Sequence, residues 1–376
     1  MSNTLRIAIV KFSSLCVMDR ITFLSLIRAG IGHEFCRISN NVAWDSIKAL
    51  AERQGLSAIM LDGLERMPEG CRPSQKLLLE WIGEVLQGYE QWYIDYVKAI
   101  SSLADFYNYH GYKMMLLKGY ACSLDWPKPE HRPCGDIDIW QFGQQKEADE
   151  ALAASSKFQD SDSKIDGSHH HHTVFEWDGF TVENHYDFVN VYAHKSSREL
   201  EKIFKELGRD DSHSVVINGE KVYLPSPNLH ALFLIKHMVS HFAAAEINLR
   251  QVLDWAFFVE KHTKEIDWVW LIRVIEDFHM KEFANIINSI CVDDLGFKSE
   301  MFPSVQFNPM LKERVLADIL EPEYGTAEIK SLIKRQVYRY KRWQGNAWKQ
   351  KMCYGESRWS TFWTGVWAKM LKPSSI

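Results

Sequence analysis

The stretch Gly135-Asp136-Ile137-Asp138-Ile139-Trp140 alternates polar and apolar residues with a period of two, a pattern that suits a β-strand with two unlike faces. As a strand it sends both carboxylates out of one side, about 7 Å apart, while Ile137 and Ile139 point into a core. Two carboxylates so placed can grip a hard divalent cation together. An Asp-x-Asp also occurs in turns, solvated strands and calcium loops, so its neighbours carry the inference. Met114–Leu117 is an apolar run fit for a buried strand, and Gly119 then opens Tyr120–Trp126 as a short helix. Backbone N–H groups at such a turn can cradle phosphate, with Lys118 beside them. Trp126–Arg132 reads as the Pro-containing loop that leads back to the Asp136 strand.

A third carboxylate follows from a hairpin. His172–Trp177 and Phe180–His185 flank Asp178-Gly179, a dipeptide that accepts the positive φ angles of a type I′ turn. Counting by twos puts Thr181, Glu183 and His185 on one face. If this hairpin lies beside the Asp136 strand, Glu183 completes a cluster that makes physical sense mainly with metal bound. A second hairpin is expected around Asn218-Gly219, between Val215–Ile217 and Lys221–Leu224.

The ordered set Leu117-Lys118-Gly119, Pro127 to Arg132, Gly135-Asp136-Ile137-Asp138 and Glu183-Asn184-His185 resembles the nucleotidyltransferase fold, and within it the uncharacterised nucleotidyltransferases. The resemblance continues through Leu224-Pro225, His237 and His241, Leu249-Arg250-Gln251 and Asp254-Trp255, and covers roughly residues 40 to 270. It implies that Asp136 and Asp138 hold two Mg²⁺ (or Mn²⁺) ions and that Glu183 is a further metal ligand or the general base. The donor would be a nucleoside triphosphate such as ATP. Tyr120 follows Gly119 where most members of the wider fold carry Ser, and the gap to Asp136 is somewhat longer than usual. The triphosphate role then falls to Lys118, Arg132 and the backbone at Gly119 and Gly135.

The implied fold is α+β, a nucleotidyltransferase-like core with a small mixed sheet flanked by helical regions. Helical periodicity fills residues 1–111, strand signals crowd into 112–225, and from Ser226-Pro227 a helical pattern runs through 226–376, with Ser226 as N-cap. In a chain of 376 residues, 46% apolar and 25% charged, there is ample material for a packed core. Seven scattered cysteines without a Cys-x-x-Cys pair fit reduced thiols rather than a disulfide framework or thiolate zinc site. No apolar run is long enough to span a bilayer, and the expected location is cytoplasmic.

Histidines offer further candidates. His169–His172 reads either as a polar loop entering the next strand or as a transition-metal or substrate contact. His230, His237 and His241 share a helix; the last two could wall an active site, pack, or bind zinc if a third ligand approached. Arg250 and Asp254, four residues apart, fit an ion pair or a ligand clamp. From Lys334 to Lys372, ten Lys or Arg face one acidic residue, interleaved with Trp343, Trp348, Trp359, Trp363 and Trp367. Such a tail suits a membrane surface, nucleobases or another polyanion, or simply a Trp stripe that packs while its charges stay wet.

The expected reaction is attack of an acceptor on the α-phosphorus of an NTP, releasing pyrophosphate. The acceptor is open among small molecules, sugars, RNA and protein, with His185, His237, His241, Arg250 and Asp254 as candidate contacts. Two alternatives stand beside it: a non-catalytic nucleotide-binding regulator or toxin-system component, which Tyr120 favours, and a metal-dependent phosphohydrolase.

Overall fold

The structure, a computed structural model, describes residues 17–34, 42–159, 163–192, 194, 196–303, 307–325, 331–357 and 359. The chain begins with helices α1 (Val17–Gly30), α2 (Trp44–Gln54), α3 (Ser57–Glu65) and α4 (Gln75–Val85). A π-helical turn, Leu86–Gln91, carries α4 into the long α5 (Trp92–Tyr109). The strands follow: β1 (Met115–Leu116), β2 (Ile137–Trp140), β3 (His172–Trp177), β4 (Phe180–His185), β5 (Ser214–Ile217) and β6 (Glu220–Tyr223). Between them lie α6 (Tyr120–Ser123), α7 (Gln145–Ala154), α8 (Ser156–Gln159) and α9 (Ser197–Leu207). Then come α10 (Pro227–Ala244), α11 (Leu249–His262), α12 (Trp268–Asp277), α13 (Lys281–Ser289), α14 (Pro309–Leu320), α15 (Leu332–Gly345) and α16 (Ala347–Tyr354).

The strands form one mixed sheet in the order β3-β4-β2-β1-β6-β5. β2 and β4 are parallel, as are β1 and β6; the other neighbours are antiparallel. Both expected hairpins are present. Their turn residues take the left-handed angles that type I′ demands, with φ of 48° at Asp178 and 85° at Gly179, and 50° at Asn218 and 95° at Gly219.

The pleat sends alternate residues to two covered faces. Ile137, Ile139, Val182, Phe180 and Val222 pack under α5, against Tyr96, Ile100 and Leu103. Met115, Leu117, Trp140 and Tyr223 face the other way, into a larger cluster with Phe233 of α10, Leu253 of α11 and the N-terminal helices. This corrects the expectation that Asp138 faces outward: helices cover its side of the sheet too, and it is only 1% exposed. The short helix after Gly119 is one turn rather than the expected seven residues, giving way to turns through Asp125. Ser226 does occupy the N-cap position of α10, but its side chain makes no capping hydrogen bond; Pro227 supplies the preset φ at the first helical residue.

Two capping devices set the site-bearing helix and its neighbours. Asn248 and Gln251 form a reciprocal capping box at the start of α11. Gln54 at the end of α2 donates to the carbonyl of Ile319 (2.9 Å) and accepts from the N–H of Leu249 (2.7 Å), tying α2 to α11 and α14. At the other end, Lys349 of α16 is fully buried against Asp318, and Trp348 packs on Phe242. Trp359 is 70% exposed, while Trp363 and Trp367 lie outside the described residues, as do Cys16 and Cys36.

Gly119 adopts φ of 61°, and a Cβ built there would come 2.3 Å from the Tyr96 hydroxyl. Gly119→Ala should therefore cost roughly 1–3 kcal/mol of stability in urea titrations. Part of that loss should return in a Tyr96→Phe background, because removing the hydroxyl relieves the clash but not the backbone strain.

Candidate functional site

Asp138 on β2 stands directly beside Glu183 on β4, since the parallel pairing matches Ile137 to Val182, Asp138 to Glu183 and Trp140 to His185. In-register neighbours on parallel strands point the same way, which brings the two carboxylates together although 45 residues separate them. His185, two residues along β4, shares their face, its Nε2 lying 3.3 Å from Asp138 Oδ1 and 3.7 Å from Glu183 Oε2. Asp138, Glu183 and His185 offer ligand atoms that all lie within 4.8 Å of one another. Asp136 is outside that compact set. It sits at the exposed mouth, before the first β2 residue, with its carbonyl held by the Tyr96 hydroxyl at 3.0 Å.

Lys118, at the end of β1, reaches into this cluster. Its Nζ lies 2.8 Å from Asp138 Oδ1 and 3.3 Å from His237 Nε2. Burial would raise the Asp138 pKa, but the Lys118 charge and the hydrogen bond from His185 outweigh it and hold the carboxyl below its usual range. Glu183 goes the other way: burial, then the Asp138 charge, push it up to about 8. Asp136 is also raised, by burial and by Asp138. The turn at Gly119 holds the Tyr96 hydroxyl where the sequence suggested a phosphate cradle.

A cleft of about 280 Å³ opens over these residues. Lys118, Gly119, Gly135, Asp136 and Asp138 form one wall; Phe233, His237 and Met238 of α10 and Arg250, Gln251 and Asp254 of α11 form the other. Glu183, His185 and His241 do not line it. His241 is exposed one turn beyond His237, with ring centroids 4.3 Å apart. His230 points elsewhere, toward Cys122. No group of three metal-competent side chains among the described residues includes His230, His237 or His241, so the helix offers no zinc site of the kind its spacing suggested.

Asp254 does not pair with Arg250. It takes a two-pronged ion pair from Arg132, at 2.7 and 2.9 Å, and a hydrogen bond from Trp126 Nε1 at 2.9 Å. Arg132 is buried, not a surface-loop charge, and its guanidinium is already engaged. Arg250 is left with one hydrogen bond, to the Pro133 carbonyl at 3.3 Å, and its buried Nε has no partner. The histidine run is a loop over His169–His171 and enters β3 at His172, where the strand was expected to begin, buried opposite His185. Burial and neighbouring positive charge lower His171 and His172, so both are neutral at physiological pH.

A mixed sheet that sets Asp138 beside Glu183 on parallel strands and lines a helix-walled cleft with Asp136, Asp138, Lys118 and Arg250 is the arrangement of a nucleotidyltransferase-like core. Residues 40–293 match the family described as uncharacterised nucleotidyltransferase, and the chain belongs to that family. Its structure is similar to the crystal structure of an antigenic nucleotidyltransferase-like protein from Paracoccidioides brasiliensis, at 15% identity and a TM-score of 0.33, over 54% of this chain and 92% of that one. No curated protein matches the sequence. No helix among the described residues is long and apolar enough to cross a membrane.

Removing one partner of the Arg132–Asp254 pair leaves a buried charge uncompensated, so Asp254→Ala should cost about 3–5 kcal/mol by denaturant unfolding. The raised Glu183 pKa means that the folded chain keeps a proton the unfolded chain releases above its ordinary value of 4.5, and stability falls as pH rises from there to about 8. Glu183→Gln keeps a hydrogen-bond donor to Asp138 without that penalty. Its melting temperature should exceed that of the native sequence at pH 8 by a few degrees, roughly 2–4 °C per kcal/mol, with the gain vanishing near pH 4.5.

Proposed function

We propose that the chain transfers a nucleoside monophosphate from an NTP to an acceptor, releasing pyrophosphate. One observation carries this reading: Asp138 and Glu183 are in register on adjacent parallel strands, with Asp136 at the mouth of the cleft that holds Lys118 and Arg250. The oxygen donors fit a hard cation, and the elevated Glu183 pKa reflects burial first and then the neighbouring Asp138 charge, both of which a bound cation would offset. Asp136, Asp138 and Glu183 would hold Mg²⁺ or Mn²⁺, which neutralises triphosphate charge and lowers the pKa of an attacking hydroxyl.

The remaining work falls to the protein's own groups. Arg250, with an unsatisfied buried Nε, would take a phosphate oxygen by a charge-assisted hydrogen bond. Lys118 would exchange part of its contact with Asp138 for the triphosphate. Arg132 acts through position: by holding Asp254 it anchors the Pro-containing loop against α11 and keeps Arg250 free of that carboxylate. Glu183, in its ionised form, would accept the acceptor's proton as the oxygen attacks the α-phosphorus and the bond to the β-phosphate breaks.

A second reading is a nucleotide-binding protein without turnover. It draws on the Tyr96 hydroxyl at the Gly119 turn and on the Lys118–Asp138 ion pair, both of which occupy positions that substrate would use.

Thermal-shift titration with each of the four NTPs, with and without Mg²⁺ or Mn²⁺, tests the proposal. One NTP should stabilise the chain in a metal-dependent way, by about 2.7 kcal/mol at a hundred times its Kd. Asp136→Asn/Asp138→Asn should lose the effect, and Arg250→Ala should weaken binding about tenfold or more. Pyrophosphate release supports transfer; phosphate release supports a hydrolase; metal-dependent binding with no product supports the non-catalytic reading. No stabilisation of a folded sample by any NTP would overturn both the transfer reading and the nucleotide-binding reading.

A further inference from the structure

Beside the carboxylates, on residues that do not line the cleft, lies a cluster of imidazoles to which the proposed transfer assigns no step. β3 begins at His172, and the hairpin register sets it opposite His185 on β4. His171 precedes it, its carbonyl accepting the N–H groups of Tyr186 (3.0 Å) and Asp187 (3.1 Å), which clamps the chain just before β3 to the segment following β4. The three rings gather closely: centroids are 4.4 Å apart for His171 and His172, 5.5 Å for His171 and His185, and 5.2 Å for His172 and His185. Each ring offers a nitrogen within 4.8 Å of the nitrogens offered by the other two.

Packed histidines in a protein interior ordinarily satisfy their ring nitrogens with protein partners. Here the Nδ1 atoms of His171 and His172 are buried and have no hydrogen-bond partner, a cost of about 1–3 kcal/mol for each such group. Two unsatisfied nitrogens on neutral rings, beside a third imidazole, make a donor set that prefers borderline-soft dications over Mg²⁺. Glu183 stands at the boundary, its oxygens 3.8 Å from His172 Nε2 and 3.7 Å from His185 Nε2. Nitrogens around a tetrahedral zinc are about 3.3 Å apart, so side-chain rotation of an ångström or so would close the set.

We propose that His171, His172 and His185 form a binding site for a transition-metal dication of the zinc class, with Glu183 as the carboxylate at its edge. Its three imidazoles need no nucleotide, and their metal uptake is read without one, so its failure and that of the transfer reading are distinguishable although Glu183 borders both. It is also distinct from the His237–His241 pair on α10, which has no third ligand among the described residues.

The test uses the full chain, stripped of metal by chelation and titrated with Co²⁺ while visible absorption is followed. One equivalent should produce d–d bands of imidazole-ligated cobalt, Zn²⁺ should displace them, and Mg²⁺ in large excess should not. His171→Ala/His172→Ala should abolish the bands at stoichiometric Co²⁺, with folding verified by circular dichroism. If burial of His172 makes that variant unfold, His171→Gln alone should still weaken Co²⁺ binding about tenfold or more. Absence of bands and of Zn²⁺ uptake in the native sequence would overturn the proposal. So would unchanged Co²⁺ affinity in a folded His171 variant.

Discussion

The ion pair between Arg132 and Asp254 holds the site in its shape. It is buried and two-pronged, and it joins the loop whose single 3-10 turn, Pro129–His131, ends at Arg132 to the first turns of α11. Charges removed from water on both sides repay their desolvation only with such geometry, and Trp126 adds a third hydrogen bond to the same carboxylate. Because the pair is satisfied internally, the loop from Trp126 to Gly135 has a fixed course, and the strand that follows it enters the sheet with Asp136 at the cleft mouth. The same pair removes Asp254 from the reach of Arg250. A cation with spare hydrogen-bonding capacity beside an acidic cluster is the polarity that a polyphosphate with its counter-ions would match.

Electrostatics within the cluster divide similar groups by environment. Asp138, contacted by Lys118 and His185, stays ionised; Glu183, driven by burial and by the Asp138 charge beside it, tends toward the protonated form. Two carboxylates 45 residues apart in sequence thus acquire opposite tendencies from one strand pairing. Environments that separate the proton affinities of adjacent groups are what acid–base chemistry uses.

Much of this was legible in the sequence, and for identifiable reasons. The alternation in Asp136–Trp140 and the Asp-Gly and Asn-Gly turns depend on local backbone sterics, which a single sequence carries. Strands β2 to β6 follow from them, while the meeting of Asp138 and Glu183 was conditional in the sequence on the hairpin lying beside β2, a non-local pairing that the structure supplies. The pairing of Arg132 with Asp254 did not, because 122 residues separate them and the nearer Arg250 offered a plausible helical partner. Tyr96 gave no signal at all, since a tyrosine on the buried stripe of a helix looks like any other core residue. His172 is a different case. A two-residue turn at Asp178-Gly179 fixes His172 opposite His185 by counting alone, and that count was available before any coordinates.

The cross-chain bonds of Gln54 have a consequence for biogenesis. One of its partners, the Ile319 carbonyl, is 265 residues further along, and the helices α1 to α3 share their core with α10, α11 and α14. During synthesis α1 to α3 emerge with their apolar faces uncovered, and their core is completed only when α14 has left the ribosome. At typical elongation speeds that exposure lasts on the order of ten seconds or longer. Until then the apolar faces of α1 to α3 are surface that a holdase would cover.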